Sequence, residues 1–429
     1  MKTVDAIFLE PLFAALEEIP YAVLRNAETL PLTLNGGDID ILVGENGIGS
    51  VADVIQNVAT ACGGKIIAQV DAPHFRQIEL IGRKNDAWWG CCIDLFAGVY
   101  CRCVLPLAGE WLLEKRIRSA HGVWTLDVDR AQYLGFVKEM MANNAYSDRY
   151  ATGARRAIRN GHDDFLCSET LRKFIVKVLE DSSCHLRVFR LTWMMGMAVR
   201  RPIFFWGNWI ANQWAKTRRI LRPAGRMVVM LGTDGAGKST LLNEIMPLIM
   251  IATHKSSVVH HLKPDLLPPL GRLRGVKYEP GHVCTNPHGS SCSGFVGSLI
   301  RISYLMCDYI LGYWLKVRMR LVKTPIPMWI FDRYAYDILL DPRRFRIKLP
   351  DWMIRFFLMF VPRPDLLICL GGDPEKIFAR KPETSLLEVR RQVDELRRFC
   401  IKKHGTWIDT TDSLAQSASA VMTAILGGK

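Results

Sequence analysis

The fold is decided by the stretch Gly232-Thr233-Asp234-Gly235-Ala236-Gly237-Lys238-Ser239-Thr240, which fits the pattern G-x-x-x-x-G-K-[ST]. The apolar run 227–231 before it predicts a strand, and residues 241–250 after it predict a helix. Glycines let successive backbone N–H groups turn inward around phosphate oxygens, and the helix N-terminus adds its positive dipole end. The stretch therefore predicts a binding site for a nucleoside triphosphate rather than an ordinary glycine turn.

The residues of this stretch have separate expected roles. Lys238 would reach the β- and γ-phosphates, and the Ser239 hydroxyl would bind Mg²⁺. The phosphates and their metal would be held by Gly232, Asp234, Gly235, Ala236, Gly237, Lys238, Ser239 and Thr240.

The composition indicates a globular protein of more than one domain. A chain of 429 residues is long enough for two or three domains. The formal net charge is +14, yet residues 182–233 contain no Asp or Glu and nine Arg or Lys, which favours a local anionic partner. The twelve cysteines form no repeating framework, and residues 1–11 show no secretory signal. We expect buried thiols and a cytoplasmic location.

Two short stretches in the first third place carboxylates on apolar strands. Asp38 and Asp40 alternate with Ile39 and Ile41, so the two acids share one strand face while the isoleucines point to the core. Asp94 lies between apolar neighbours on a second strand, 90–96. Three acids converging from adjacent strands would form a two-metal site for phosphoryl or nucleotidyl transfer.

This pattern resembles the minimal nucleotidyltransferase family over about residues 20–96. The resemblance implies an α+β domain, assigned to residues 1–127, in which Asp38, Asp40 and Asp94 bind metal. The family has Gly-Ser before the paired acids, where this chain has Arg25-Asn26. Two alternatives stay open: the acids follow a glycine turn and face water, or the domain binds a substrate without catalysing transfer.

Residues 128–225 predict a helical connector with a basic, aromatic end. A helix over 203–221 combines aromatic side chains with arginines, and Arg200-Arg201-Pro202 before it argues against a transmembrane span. One interpretation is peripheral contact of residues 196–222 with the inner face of an anionic membrane. The alternatives are a linker helix packed between domains and, less favoured, a nucleic-acid contact.

Alternating strands and helices over 226–429 predict a doubly wound parallel sheet. The strand 329–331 ends in Asp332-Arg333, at the edge where ligands bind in such sheets. Zinc ligation by His282, Cys284, His288 and Cys292 is disfavoured because the spacing lacks a C-x₂-C pair, so we expect a substrate-covering loop there.

The combination of G-x-D-G-x-G-K-S-T, F-D-R-Y, P-D-L-L-I-x-L and a basic segment at Arg380 is similar to the thymidylate kinase family over 226–429. The resemblance implies ATP and Mg²⁺ as cofactors. Asp234 would face the acceptor, Asp332 and Arg333 would orient acceptor and metal, and Arg380 would close over the transferring phosphoryl group. The chain has His261-Leu262-Lys263-Pro264 where the family carries Arg-Glu-Pro-Gly, which favours another anionic acceptor.

Three functional interpretations remain at this point. The leading one is an ATP- and Mg²⁺-dependent kinase acting on a nucleotide or a sugar-phosphate-like acceptor, joined to a nucleotidyltransferase-like domain. Proteins that resemble this arrangement tend to be bacterial and associated with surface polysaccharide synthesis. The second is a P-loop ATPase switch that associates with membrane or nucleic acid, and the third is a nucleotidyltransferase whose P-loop half only binds nucleotide. The sequence does not predict an oligomeric state.

Overall fold

The computed structural model describes residues 5–34, 38–101, 104–162, 169–180, 185–222, 225–268, 292–319, 328–382 and 385–427. Two compact units are present, one comprising 1–221 with 251–255 and the other 222–250 with 256–429. The helices expected of the connector belong to the first unit. The predicted boundaries at residues 127 and 225 stay predictions.

The first unit contains a mixed sheet. The strands of this unit are β1 (Tyr21–Val23), β2 (Asp38–Val43), β3 (Gly64–Ala72), β4 (Phe75–Lys84), β5 (Ala87–Phe96), β6 (Gly98–Cys101), β7 (Val104–Ala108), β8 (Ile117–Arg118) and β9 (Trp124–Thr125). β6 and β7 form a separate hairpin, and the other strands form the mixed sheet. The order in the seven-stranded sheet is β3-β4-β5-β2-β1-β9-β8. β2 is parallel to β5 and antiparallel to β1, so the two acid-bearing strands are direct neighbours.

Helices cover both faces of this sheet. They are α1 (Asp5–Ala15), α2 (Gly47–Ala61), α3 (Gly109–Glu114), α4 (Val128–Asn143), α5 (Asp148–Arg159), α6 (Glu169–Glu180), α7 (Leu186–Arg200) and α8 (Pro202–Leu221). Side chains of α1 and α2 share a buried cluster with Ile39 and Ile41. Side chains of α4 to α8 share another with Leu42, the next position on the strand face of Asp38 and Asp40. The predicted alternation on β2 is confirmed.

The second unit contains an all-parallel sheet. Its strands are β10 (Arg226–Gly232), β11 (Val258–His261), β12 (Met328–Asp332), β13 (Leu366–Gly371) and β14 (Thr406–Asp409), in the order β11-β12-β10-β13-β14. From β10 the chain first reaches the edge strand β11, returns inward to β12, and then crosses to β13 and β14 on the other side of β10. The carboxyl end of β10 therefore lies at the centre of the sheet, between those of β12 and β13.

Helices also pack around this second sheet. They are α9 (Lys238–Ala252), α10 (Phe295–Gly312), α11 (Asp337–Leu340), α12 (Asp351–Leu358), α13 (Pro374–Arg380), α14 (Leu386–Lys402) and α15 (Leu414–Gly427). Met227, Val229 and Leu231 of β10 lie in a core cluster with α10, α12 and α14. The alternate side chains, Val228 and Met230, are also buried, so both faces of the sheet are covered, as a doubly wound sheet requires.

One described helix, Phe295–Arg318, is long and apolar enough by composition to cross a membrane. It comprises α10 and a six-residue π-helical turn, Tyr313–Arg318, and a core helix passes the same test. Ile302, Met306 and Tyr309 pack in the sheet core, and the fully buried Asp308 on the same helix pairs with Lys263. These contacts are those of a helix that packs on its own sheet.

Trp89 on β5 fills the core of the first unit. Its ring stacks on Phe8 at 4.5 Å between centroids, and its Nε1 donates to the Cys62 carbonyl at 2.9 Å. Gly64 and Gly82 on the neighbouring strands leave the room, because a Cβ at either position would lie 2.4 or 2.3 Å from the indole. Glycine is therefore needed at both positions by this ring.

We expect Trp89→Ala to lower the free energy of unfolding by about 3–5 kcal/mol, because it leaves a cavity and an unpaired Cys62 carbonyl. Urea denaturation measures the loss. Trp111→Ala, at a mostly exposed indole, is the matched control and should change stability by about 0.5 kcal/mol or less. Equal losses in the two variants would contradict the assignment of Trp89 to the core.

Candidate functional site

The glycine loop joins β10 to α9 as the sequence predicts. Gly235 and Gly237 have φ of +85° and +78°, values that side-chain-bearing residues rarely adopt. At Gly235 a Cβ would also lie 2.7 Å from the Ile377 carbonyl oxygen, so both conformation and space require glycine there. Ser239 and Thr240 start α9 with exposed side chains.

Lys238 lies beneath the loop and is 7% exposed. Its Nζ donates to the carbonyl oxygens of Gly232 at 2.7 Å and Thr233 at 2.9 Å. Burial lowers the pKa of Lys238 to about 8, and the nearby Arg333 cation adds to the effect. An anion beside this ammonium would favour its charged form.

Asp332 ends β12, in register with Met230 of β10 and His261 of β11. Its Oδ2 lies 3.3 Å from His261 Nδ1, and its buried Oδ1 has no hydrogen-bond partner. Burial alone would raise the pKa of Asp332, but the His261 hydrogen bond and the Lys238 charge outweigh it and lower the pKa. An ionised carboxylate with a spare oxygen at a strand end suits a bound cation or a hydroxyl donor.

Arg333 turns the chain immediately after β12. It adopts φ +73°, and its backbone N–H donates to the Met230 carbonyl at 3.0 Å. Its guanidinium lies between two carboxylates, bonding Asp337 through Nη1 at 3.0 Å and contacting Asp234 through Nη2. The left-handed conformation therefore accompanies a side chain that points back to the glycine loop.

Arg344 bonds the same loop carboxylate from the other side. Its Nη1 donates to Asp234 Oδ2 at 2.7 Å. Burial would raise the pKa of Asp234, but Arg333 and Arg344 outweigh burial and lower the pKa to about 2. Two guanidinium groups and an amide, those of Arg333, Arg344 and Gln392, face one small cavity, which the carboxylates of Asp234, Asp337 and Asp341 also line. This set of donors suits a phosphate or a carboxylate.

A second cavity of about 180 Å³ lies along the other end of the loop. Its lining includes Gly237, Thr240, Arg380, Thr410 and Asp412. Arg380, which the sequence places over the transferring group, thus lines the cavity of Gly237 and Thr240 and not that of Arg333. Asp373 caps the helix that carries Arg380 by accepting from the Glu375 N–H at 2.9 Å.

The partners of three further residues of this site escaped the sequence argument. Asp337 follows Arg333 by one helical turn, a spacing that would have indicated the pair. Arg344 belongs to the basic run 341–346, which on the sequence favours an anionic acceptor, and His261 belongs to the stretch that departs from the kinase pattern. Their partners lie 110 and 71 residues away in sequence, so no local pattern predicts them. Lys263, noted as a departure from the kinase pattern, bonds the buried Asp308 and so anchors the loop after β11.

The structure brings Asp38, Asp40 and Asp94 together on one face of the first sheet. One oxygen of each lies within 4.8 Å of the others, and Asp40 pairs in register with Asp94 across β2 and β5. Burial, Asp40 and Asp38 raise the pKa of Asp94 to about 7. The buried Oδ1 of Asp40 has no hydrogen-bond partner, and three carboxylates are hard oxygen ligands, so these residues fit a divalent cation.

Arg25 supplies positive charge to this cluster. Its Nη2 bonds Asp38 Oδ2 at 3.1 Å, and its Nε contacts Asp40. Arg25 occupies the place where the nucleotidyltransferase pattern has Gly-Ser, and its side chain is half-exposed. A guanidinium beside two acids is able to hold a phosphate or to take the place of a cation.

Glu79 is a fourth acid that the sequence argument missed. Its strand β4 pairs Glu79 with Cys92 and Gln77 with Asp94, so the side chain lies on the face of the cluster. It is 1% exposed, and neither carboxyl oxygen has a hydrogen-bond partner. Burial, with the Asp94 charge, raises the pKa of Glu79 to about 9, so it is neutral at pH 7.

The residues considered as zinc ligands lie mostly outside the described ranges. His282, Cys284 and His288 are not described, and Cys292 is exposed. Zinc ligation there stays disfavoured on the spacing alone.

The raised pKa of Glu79 predicts a pH-dependent stability. Above its ordinary value of 4.5 the unfolded chain loses the Glu79 proton while the folded chain keeps it. The free energy of unfolding should therefore fall as pH rises from about 5 to about 9, and level off above that. Urea denaturation in EDTA should show a shallower fall for Glu79→Gln.

Glu28→Gln is the matched control, because this side chain is exposed and the substitution removes the same kind of ionisable group. It should reproduce the unsubstituted pH profile. A Glu79→Gln profile parallel to that of Glu28→Gln would mean that Glu79 is ionised in the folded chain.

Comparison with known proteins identifies no family. No family model matches the sequence, and no curated protein matches it. Among solved structures, the chain is similar to a thymidylate kinase from Ehrlichia chaffeensis, at 12% identity and a TM-score of 0.33. The match covers 47% of this chain and 100% of that one. This similarity is too low to establish a common fold, so the site is interpreted from its own geometry.

Proposed function

We propose that the second unit is an ATP- and Mg²⁺-dependent phosphotransferase for a small anionic acceptor. The observation that carries the proposal is the cluster at the carboxyl ends of β10 and β12. There the glycine loop, Asp332 and the Asp234–Arg333–Arg344 ion pairs occupy neighbouring positions. A triphosphate cradle beside a second set of anion-binding groups is what transfer between two bound phosphorylated molecules requires.

The residues of the glycine loop fit a nucleoside triphosphate. Gly235 and Gly237 open the backbone, and the Lys238 ammonium bonds carbonyls of the same turn, from which it can be drawn to a phosphate. Thr410 and Asp412 line the 180 Å³ cavity beside the loop, which is large enough for part of a nucleoside. Ser239 and the spare oxygen of Asp332 would hold Mg²⁺, which when bound neutralises charge on the phosphates.

The acceptor would bind against Arg333 and Arg344. Both guanidinium groups are held by carboxylates, so they are positioned before any ligand arrives. A phosphate of the acceptor would bind the guanidinium groups of Arg333 and Arg344, which also bond Asp234. A hydroxyl of the same acceptor would then lie near the Asp234 carboxylate. Arg380 would add positive charge from the nucleotide side. We therefore infer an acceptor that carries a phosphate, such as a nucleotide or a sugar phosphate.

Phosphoryl transfer requires little covalent chemistry from the protein. Lys238 and Arg333 would stabilise charge on the transferring group, and Asp332 would accept a hydrogen bond from the acceptor or orient the metal. The buried positions of Lys238 and Arg333 limit the competition of water for their hydrogen bonds.

The carboxylate cluster supports a second function in the first unit. We propose a nucleotidyltransferase-like site in which Asp38, Asp40 and Asp94 bind divalent cations and Arg25 binds a phosphate of the substrate. The two units would then act on one phosphorylated substrate in sequence. A role in surface polysaccharide synthesis and a cytoplasmic location complete the proposal.

We expect Lys238→Ala to weaken MgATP binding by about tenfold to a hundredfold, since a charge-assisted hydrogen bond contributes about 1.5–3 kcal/mol. Calorimetry measures the affinity. Acceptor-dependent release of ADP, screened over nucleoside monophosphates and sugar phosphates, should fall by about a hundredfold or more. Asp38→Ala should leave both quantities unchanged and abolish any nucleotidyl transfer.

Lys402→Ala, at an exposed lysine, is the control for both assays. Thermal melts establish that each variant is folded. ADP release that needs no acceptor and responds to vesicles would favour an ATPase switch over a kinase. Unchanged MgATP affinity in folded Lys238→Ala would contradict the proposed nucleotide site.

We expect Arg344→Gln to raise the KM for the acceptor by about tenfold to a hundredfold while the affinity for MgATP stays the same, because the change removes one charged donor from the acceptor side. Initial rates at varied acceptor concentration measure the effect. Arg343→Gln is the matched control, since this neighbouring arginine is exposed. Equal KM values in the two variants would remove Arg344 from the acceptor site.

A further inference from the structure

The two helices α7 and α8 carry an exposed row of large apolar side chains. On α7 the row is Val188, Leu191, Met195 and Val199, and on α8 it is Ile203, Trp206, Ile210, Trp214 and Leu221. Spacings of three, four and seven residues place each set on one side of its helix. Val199, Ile203 and Trp214 are 81%, 90% and 68% exposed. We call these nine residues the outer stripe.

The opposite side of these helices is already packed. Trp193 and Phe205 are buried in the cluster that includes α4 and α6, and Arg190 donates to the Met141 carbonyl at 3.0 Å. Asn208 of α8 lies 3.0 Å from His74 Nε2 in the turn between β3 and β4. Each helix thus has one apolar side that faces the core and a second apolar side that is exposed. An exposed apolar side lowers solubility unless a partner covers it.

The charged residues on α7 and α8 have one sign. Arg200 and Arg201 lie at the junction of the helices, and Lys216, Arg218 and Arg222 lie at the end of α8, all with exposed side chains. Residues 182–233 contain no acidic residue. Any partner of this surface must therefore offer an apolar phase and negative charge together.

We propose that the outer stripe lies on an anionic lipid bilayer, with α7 and α8 in the plane of its interface. The tryptophans would sit at the level of the headgroups, the aliphatic members would enter the acyl boundary, and the basic residues would meet anionic lipids. Such a contact would hold the first unit at the bilayer surface.

Other occupants fit this surface less well. A second copy of the chain would bring the same basic residues against each other in a symmetric contact. A nucleic acid would satisfy the charge and stack on tryptophan, but Val199, Ile203 and Ile210 would gain nothing from it. Of these three occupants, the bilayer is the one that uses both the aliphatic row and the basic residues.

Flotation of the full chain with vesicles tests the proposal. We expect binding to vesicles of phosphatidylcholine with 30% phosphatidylglycerol, weaker binding to phosphatidylcholine alone, and a decline with added salt. The double variant Ile210→Asp/Trp214→Asp should lower the partition coefficient at least tenfold. Leu387→Asp/Ile401→Asp on α14 is the matched control, since it places the same charge at two equally exposed apolar sites and should float normally.

Thermal melts and MgATP affinity verify that both double variants are folded. Equal flotation of the two would overturn the proposal, as would equal binding to neutral and anionic vesicles. A dimer that the outer-stripe variant dissociates, with no vesicle binding by the unsubstituted chain, would assign the surface to a second copy. Binding to RNA without flotation would assign it to nucleic acid. Lys238→Ala should float normally, because the surface does not depend on nucleotide.

Discussion

The second unit depends on buried cations that are balanced by acids at the carboxyl edge of its sheet. Lys238 and Arg333 are each less than a tenth exposed, and burying an unpaired cation costs several kcal/mol. Asp234, Asp332 and Asp337 provide the compensating charge. The carboxylates fix the orientation of the cations, so the positive field at the glycine loop is built before a ligand binds. The parallel strands matter because they deliver these residues to one edge.

The first unit presents the opposite balance. Asp38, Asp40, Asp94 and Glu79 share one sheet face, and Arg25 contacts two of them, Asp38 and Asp40. Burial, and after it the charge of the neighbouring acids, raises the pKa values of Asp94 and Glu79. A divalent cation relieves the repulsion between these acids. The two units thus differ in sign: the second holds buried cations that are paired with acids, and the first holds clustered acids that fit a cation.

The apolar helices of this chain differ in whether their charged residues are buried or exposed. Asp308 within the helix 295–318 is fully buried and bonds Lys263 and the N–H groups of Leu266 and Leu267, which ties that helix to its own sheet. On α7 and α8, Arg200, Lys216 and Arg218 are exposed instead, beside apolar residues that are also exposed. Composition alone does not separate these cases, because all three helices are rich in large apolar residues.

The sequence by itself determined the glycine loop, the strand that enters it and the alternation of acids on β2, because these depend on residues adjacent in the chain. It also indicated that Asp332 and Arg333 follow a strand end. Only the tertiary structure pairs Arg344 and Arg333 with Asp234. It also brings Glu79 to the sheet face of Asp94, and Arg380 to the cavity that Thr410 lines. These contacts join segments far apart in sequence, so strand order and helix packing decide them, and no local pattern records either.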